Sequence, residues 1–470
     1  MRKTKIVCTL GPACESEEIL TQMCLAGMNV ARLNFSHGTY EQHKRNIDLI
    51  KKIRKKLGMP IAILLDTKGP EYRIKTFKDK KIVLNTGDKF TFTSDDIEGD
   101  NERVSVNYKN LAHELSSGDR ILLCNGLVAF EVEYTTDTDV VCRVTEGGEV
   151  SDRKSMSFPN KVLSQEYLSE ADKQDMLFGL ENDVDFIACS FVSSKDDLIA
   201  VKNFLREHTD DMPDIIAKIE NRSGVDNIEQ ICDECDGIMI GRGDMGVEIP
   251  FEELPYIQKH LITTCRLLGK RVITATEMLE SMIHNTRPTR AETSDVANAV
   301  YDGTSAVMLS GETAAGMYPV LTIRTMAKIL EETEKRIDFT SVFKNSEFII
   351  KNTLDAISHA TCGMAIDIDA RAIAVCSRSG MTARMVSRFR CPIDIVGITT
   401  DEKSYRKLAL SWAVTPVMSE LFNSLDVLFY CAKNLSKEAM SLNVGDKIVI
   451  TGGAINGSSG NTNVIKIEVI

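Results

Sequence analysis

The stretch Ile215-Ile216-Ala217-Lys218-Ile219-Glu220-Asn221 decides the fold. It is short and apolar at successive positions, so it reads as a strand buried on both faces, the habit of parallel sheets. Lys218 and Glu220 lie two apart on that strand and project to the same side. A lysine buried beside a carboxylate is costly unless something else shares the site. A divalent cation on Glu220 and an anion near Lys218 would offset that cost, and a plain structural ion pair is the competing reading.

Seven further runs have the same character: Lys5–Thr9, Asn29–Leu33, Ile61–Leu65, Asp185–Cys189, Gly237–Ile240, Arg271–Thr274 and Ala306–Leu309. Helical patterns lie between them. Ser16 is placed to cap a helix over Glu17–Ala26 that stops at Gly27. Another helix is expected from about Tyr256 to Leu268, ending at Gly269. Eight strand–helix units predict a closed (β/α)8 TIM barrel in preference to an open sheet. Polar residues collect where these strands end: Arg32 and Asn34, Asp66, Lys218 and Glu220, Asp244, Thr276, and Ser310 with Glu312. A barrel gathers such ends on one face, where barrel active sites lie. Any one of these residues could be an ordinary cap or turn residue; the whole set fits that explanation poorly.

Between the third and fourth strands, residues 70–169 change to period-2 runs with turn signals at Thr86-Gly87-Asp88, Ser117-Gly118-Asp119 and Gly147-Gly148. They predict an inserted small β-barrel domain able to act as a lid. Residues 346–470 alternate strands and helices again and predict a separate C-terminal α/β domain. The barrel itself is then discontinuous, 1–69 and 170–345.

Bulk properties narrow the partners. The chain has 470 residues, 43% hydrophobic and 26% charged, with net charge −12. That balance suits a globular protein of several domains and argues against a nucleic-acid partner. Thirteen scattered cysteines suit free buried thiols in a cytoplasmic setting, not a disulfide framework. The Cys232–Cys235 pair has no second pair at zinc spacing. Gly11-Pro12 breaks the N-terminal apolar run too early for a signal peptide, and no run reaches membrane-span length.

Candidate chemistry follows from the strand ends. Gly241-Arg242-Gly243-Asp244-Met245-Gly246 lets backbone N–H groups approach an anion, and Asp244 offers a hard oxygen. With Glu220 one strand earlier, a two-carboxylate Mg²⁺ or Mn²⁺ site is expected. Arg32 offers a phosphate-binding fork. Asn34, Ser36, Asp66 and Thr67 offer oxygens for a monovalent cation. Thr276 and Ser310 put hydroxyls on the same face. Arg287–Glu292 reads as a helix start or subunit contact. Further on, Ser377, Arg378, Ser379, Gly380 and Thr382 form a polar loop entering a helix, suited to a phosphate or simply a helix cap. The loop 452–461 could close over a ligand there.

Eight ordered motifs, TKIVCTLGPA (4–13), ARLNFSHG (31–38), LLDTKGPE (64–71), IIAKIEN (215–221), GRGDMGVE (241–248), TATEMLESM (274–282), RPTRAE (287–292) and VMLSGETA (307–314), resemble the motif series of the pyruvate kinase family. The resemblance covers nearly the whole chain. It implies phosphoryl transfer from phosphoenolpyruvate to ADP, giving pyruvate and ATP, with Mg²⁺ and K⁺ as cofactors. It implies that Arg32 binds the phosphoryl group and that Lys218 stabilises the transition state. Gly243, Asp244 and Thr276 would contact the substrate carboxylate, and Glu220 and Asp244 would bind Mg²⁺. Asn34, Ser36, Asp66 and Thr67 would hold K⁺, and Glu71 resembles the glutamate of K⁺-dependent members. Arg73, Lys154, His37 and Asn34 would sit at the nucleotide, and Ser310 with Thr276 would relay a proton. It also implies a homotetramer and a sugar-phosphate effector at Ser377–Thr382, making the C-terminal domain regulatory. Two departures stand out: Glu277 in place of glutamine, and Cys124-Asn125-Gly126 in place of Asp-Asp-Gly. A magnesium-dependent enolate lyase on the same barrel is the alternative enzyme, and it would ignore ADP.

Overall fold

The structure, a computed structural model, describes residues 1–159, 161, 163–421, 424–453 and 462–470. Eight parallel strands close into a barrel: β1 (Lys5–Thr9), β2 (Val30–Asn34), β3 (Ala62–Asp66), β4 (Phe186–Cys189), β5 (Asp214–Ile219), β6 (Gly237–Gly241), β7 (Arg271–Ala275) and β8 (Ala306–Leu309). β1 closes the ring by pairing with both β2 and β8, with Lys5 opposite Ala306 and Val7 opposite Val30. Burial on both faces explains the unbroken apolar runs. One set of side chains, among them Val7, Leu64, Phe186, Ile216, Met239 and Met308, fills the barrel interior. The alternate set, including Cys8, Leu65, Ile187, Ile219 and Ile240, packs under the surrounding helices.

Those helices begin and end where local chemistry dictates. Ser16 caps Glu17–Ala26 by accepting the Ile19 N–H, and Gly27 ends it at φ 120°. Thr289 and Glu292 form a reciprocal capping box for Arg290–Asp302, so the RPTRAE segment is a helix start. The expected helix at Tyr256 begins two residues earlier, as Leu254–Leu267, because Pro255 fits its first turn.

The insert leaves the barrel after β3. Its strands form a six-stranded sheet and a two-stranded ribbon around one apolar core containing Phe90, Phe92 and Phe130. It rests on the barrel helix Arg242–Glu248: the Glu248 carboxylate meets the Ser157 hydroxyl and the Phe158 N–H.

The C-terminal sheet holds β9 (Ala372–Cys376), β10 (Asp394–Thr399), β11 (Val414–Met418), β12 (Lys447–Gly453) and β13 (Thr462–Val469), in the order β11-β10-β9-β12-β13. Only β13 runs antiparallel to its neighbour. The sequence reading did not anticipate β11, whose Pro416 and half-exposed face mark it as an edge strand. Leu410, just before β11, is fully buried and enters the barrel interior from below. Around it, Asp214 pairs with Arg271, with Lys407 at 2.7 Å and with Arg384 at 3.6 Å. Arg406 reaches Asp185 at 2.6 Å and Asp183 at 2.8 Å.

Every cysteine is free. Cys232 and Cys265 approach within 3.4 Å, fully buried, and a hydrogen bond with the Cys232 thiol, together with burial, pushes the Cys235 thiol up. Among the described residues no helix is long and apolar enough to cross a membrane.

Candidate active site

The C-terminal ends of the barrel strands converge on one buried charge cluster. Arg32, at the end of β2, donates from Nε to Asp66 at 2.6 Å and from Nη1 to the Thr9 hydroxyl at 2.9 Å. Lys218 on β5 sends its Nζ to Asp66 and Glu220, each at 3.1 Å, and to the Ser190 hydroxyl at 2.6 Å. The period-2 geometry of β5 is what puts Lys218 beside Glu220. Ser190 follows β4 and also bonds Asp66 and the Thr67 carbonyl.

With nearby Asp244 counted, three acids face two cations. Burial would raise the Asp66 carboxyl, but Arg32 and Lys218 outweigh it and hold the group below its ordinary value. Burial would strip the proton from Lys218, yet Asp66 and Glu220 hold it firmly charged. Glu220 behaves differently. It is fully enclosed, accepts the Phe191 N–H at 2.9 Å, and is pushed up to about 7 by burial, against the pull of Lys218 and helped by Asp244 and Asp66. Gly241 makes its position possible, since a Cβ there would lie 2.6 Å from Glu220 Oε1.

Asp244 stands exposed in the first turn of the helix after β6. The Gly243 N–H donates to Thr276 Oγ1 at 2.8 Å, binding the ends of β6 and β7 together. Thr276 and Glu277 both adopt left-handed backbone, at φ 68° and 54°. That conformation is strained for a β-branched residue, at a cost of about 1–3 kcal/mol. Arg242 holds it there: Nη2 donates to the Thr276 carbonyl at 2.6 Å, while Nη1 pairs with Asp295 at 2.7 Å. Ser310, just past β8, has a buried hydroxyl with no hydrogen-bond partner among the described residues. Its N–H is held by Glu312 at 2.6 Å.

Sequence reasoning placed Arg32, Asp66, Lys218 and Glu220 together, and the fold joins them by direct contacts. Asn34 lies opposite Asp66 in the β2–β3 register and bonds the Ser36 N–H at 3.1 Å; Thr67 follows Asp66 and is buried. Arg73 is held by Glu71 through two bonds, at 2.9 and 2.6 Å, within the insert connection. Lys154 lies beside it through the Arg73–Ser155 bridge, and among the described residues no side-chain hydrogen bond or ion pair joins Arg73, Lys154 or the exposed His37 to the barrel cluster. Ser190 and Arg242 were given no role, although Ser190 obeys the same strand-end rule that selected the others.

The donor set fits the cations that the resemblance implies. Glu220 and Asp244 supply oxygens next to surplus negative charge, which a divalent ion would relieve. No larger group of His, Cys, Asp or Glu suited to a metal occurs among the described residues. Mg²⁺ is commonly held by one or two carboxylates, with water and substrate oxygens filling its shell. Asn34, Ser36, Asp66 and Thr67 are mostly neutral oxygens, suited to a monovalent ion.

At the C-terminal domain, the Gly380 N–H closes a turn onto the Ser377 carbonyl, and the Arg378 carbonyl accepts from Thr399 at 2.7 Å. Ser379 lies in the same turn. The Thr382 hydroxyl is buried against Thr462 at 2.6 Å. Residues 454–461 of the second loop lie outside the described residues.

Comparison with known proteins closes the question of family. Residues 1–323 match the family described as pyruvate kinase, barrel domain, and residues 355–468 match pyruvate kinase, alpha/beta domain. The chain is 44% identical over 474 aligned residues to the pyruvate kinase of Clostridium acetobutylicum, covering all of both chains. It is 45% identical to that of Staphylococcus epidermidis, covering all of this chain and 81% of the relative. A crystal structure of a pyruvate kinase from Cryptosporidium parvum superposes with TM-score 0.94 at 35% identity, covering 100% of this chain and 96% of that one. With both of its matched regions, its full-length relatives and its barrel in agreement, the chain belongs to the pyruvate kinase family.

Proposed function

We propose that the chain moves the phosphoryl group of phosphoenolpyruvate to ADP at the mouth of the barrel, giving pyruvate and ATP. The observation that carries this reading is the joined Arg32–Asp66–Lys218–Glu220 cluster at the strand ends. Phosphoryl transfer needs in-line positioning and neutralised charge more than covalent help. Arg32 grips the phosphoryl oxygens, with Asp66 and Thr9 fixing its guanidinium. A β-phosphate oxygen of ADP attacks phosphorus as the bond to the enol oxygen breaks. Lys218, locked by three partners, faces the charge that develops on the transferring group and the enolate. Gly243, Asp244 and Thr276 seat the substrate carboxylate end. A proton added to the terminal carbon completes pyruvate, and the unpartnered Ser310 hydroxyl with Thr276 provides its relay. Mg²⁺ or Mn²⁺ on Glu220 and Asp244, with K⁺ at Asn34, Ser36, Asp66 and Thr67, supplies charge neutralisation when bound.

Residues 1–69 and 170–345 form the catalytic barrel in this reading, and 70–169 the lid that brings Arg73 and Lys154 to the nucleotide near His37. Residues 346–470 form a regulatory domain that takes a sugar phosphate at Ser377–Thr382. The working form is a cytoplasmic homotetramer. The test is pyruvate formation from phosphoenolpyruvate with ADP, Mg²⁺ and K⁺ each omitted in turn. Each omission is expected to abolish most turnover. Pyruvate formation that ignores ADP would instead identify a lyase.

A further inference from the structure

A cavity of about 440 Å³ opens where the barrel meets the C-terminal domain, and none of the strand-end cluster residues or of Ser377–Thr382 lines it. Its walls come from the barrel helices Leu254–Leu267 and Arg290–Asp302, the connecting helix Phe339–Asn345, and Arg390 with Trp412 of the C-terminal domain. The volume lies in the range of small-molecule sites.

Its electrostatics are unusual. Arg390 is almost fully buried, yet every hydrogen bond it makes goes to a neutral oxygen: the Gly303 carbonyl at 3.0 and 3.3 Å, the Ser387 carbonyl at 2.9 Å and Ser305 Oγ at 3.0 Å. A guanidinium has five N–H donors, so these four bonds leave one over. Its cation lies over the Trp412 ring at 4.8 Å. Arg266 adds a second guanidinium to the same wall; its Nε is enclosed and bonds nothing among the described residues, its one side-chain hydrogen bond there goes to Ser346 Oγ at 3.4 Å, and its cation lies 5.9 Å from the Phe348 ring centre. Neither arginine forms an ion pair among the described residues, whereas nearby Arg388 pairs with Asp355 at 3.2 Å. The carboxylate on the wall, Asp302, is engaged by Lys259 at 3.2 Å and by Gln258. A buried cation is costly without a counter-charge, and Arg266 and Arg390 face that cost in one cavity. Burial, with Arg266 nearby, lowers the Arg390 guanidinium's hold on its proton.

We propose that this cavity binds a small phosphomonoester, its phosphate between Arg266 and Arg390 and its organic part against Trp412. A phosphate offers negative charge against two guanidinium cations and acceptors for the spare Arg390 N–H and for the Arg266 donors. The aromatic wall favours an unsaturated or ring-bearing organic part over a bare ion. A ligand there would join the barrel, the connecting helix and the C-terminal domain. It would also sit at the C-terminal end of Met381–Arg388, whose other end carries the Ser377–Gly380 turn.

Trp412 is the chain's single tryptophan, so its fluorescence reports on this cavity. The intact protein is titrated with inorganic phosphate and with phenyl phosphate. Saturable change in Trp412 emission is expected for both, tighter for phenyl phosphate. Ser341→Glu places a carboxylate on the cavity wall at a first-turn position where a helix tolerates it, and is expected to weaken binding at least tenfold. Arg266→Gln is expected to do the same, and Asp302→Asn to tighten binding. No saturable change in the intact protein, or an unchanged response in both weakening variants, would overturn the proposal.

Discussion

The two ends of the barrel both bury charge, and they do so in opposite ways. At the floor, Asp183, Asp185, Asp214, Asp236 and Glu402 face Arg54, Arg271, Arg384, Arg406 and Lys407, so acids and cations are equal in number. Asp214 is held well below the ordinary carboxylate range: burial opposes this, and Arg271, Lys407 and Arg384 overcome it. Asp185 is pushed up by its complete burial, though Arg406 and the Ile63 N–H occupy both its oxygens. At the mouth, Asp66, Glu220 and Asp244 face only Arg32 and Lys218, and Glu220 is pushed up to about 7. The floor's charges are matched to one another across a domain junction and need nothing more. The mouth's charges are left incomplete, beside a partnerless hydroxyl and a strained threonine, which is the arrangement expected where the missing members are ligands.

The largest expected effect tests the mouth. Lys218→Met should lower kcat by about 10³-fold, the scale of losing a fixed transition-state donor. Near-normal turnover in a steady-state assay would erase the distinction between the two ends. The next effect tests the floor. Arg271→Met leaves Asp214 with less compensation and should destabilise the fold by about 3 kcal/mol in urea denaturation. Turnover per folded molecule should stay within about twofold, and a large loss there would mean the floor also serves the chemistry. Arg242→Gln is smaller still. It frees the Thr276 carbonyl and should cost roughly tenfold in kcat through misplacement of the Thr276 hydroxyl, with little change in stability. An unchanged kcat would show that Thr276 keeps its place without Arg242.

Much of the mouth was legible because strand periodicity is legible. Lys218 and Glu220 had to share a side once their run was a strand, and Arg32, Asp66 and Thr276 had to share a face once eight strands closed. The floor was not legible, because most of its pairs join residues more than a hundred positions apart, as Asp185 with Arg406, and a lone charge gives no local signal of its partner. Leu410 is hidden for the same reason: nothing local says that it fills a barrel built by other segments. Arg242 was in view within GRGDMGVE, but its role depends on the left-handed Thr276 backbone, which the sequence of a β-branched residue argues against. Ser190 was missed only because the strand-end rule was not carried to β4.

The smallest effect bears most directly on why the mouth is incomplete. Glu220 has a folded value near 7, above the 4.5 of an ordinary glutamate. Between about pH 4.5 and 7 the folded, metal-free chain therefore holds a proton that the unfolded chain has released. Its stability falls as pH rises through that window, by at most about 1.4 kcal/mol per unit. Asp214 gives the opposite slope: its depressed value adds stability above the ordinary aspartate range, and that stability is lost as pH falls. A divalent ion on Glu220 must displace the proton. Mg²⁺ should therefore raise the melting temperature more at pH 8 than at pH 6, read by scanning fluorimetry. Glu248, at the insert contact, is also pushed up to about 7 by burial and titrates in the same window. Glu248→Gln should remove part of the metal-free slope and keep the Mg²⁺ difference, while Glu220→Gln should abolish that difference. An equal Mg²⁺ gain at both pH values would mean that the surplus charge at the mouth is not what the metal answers.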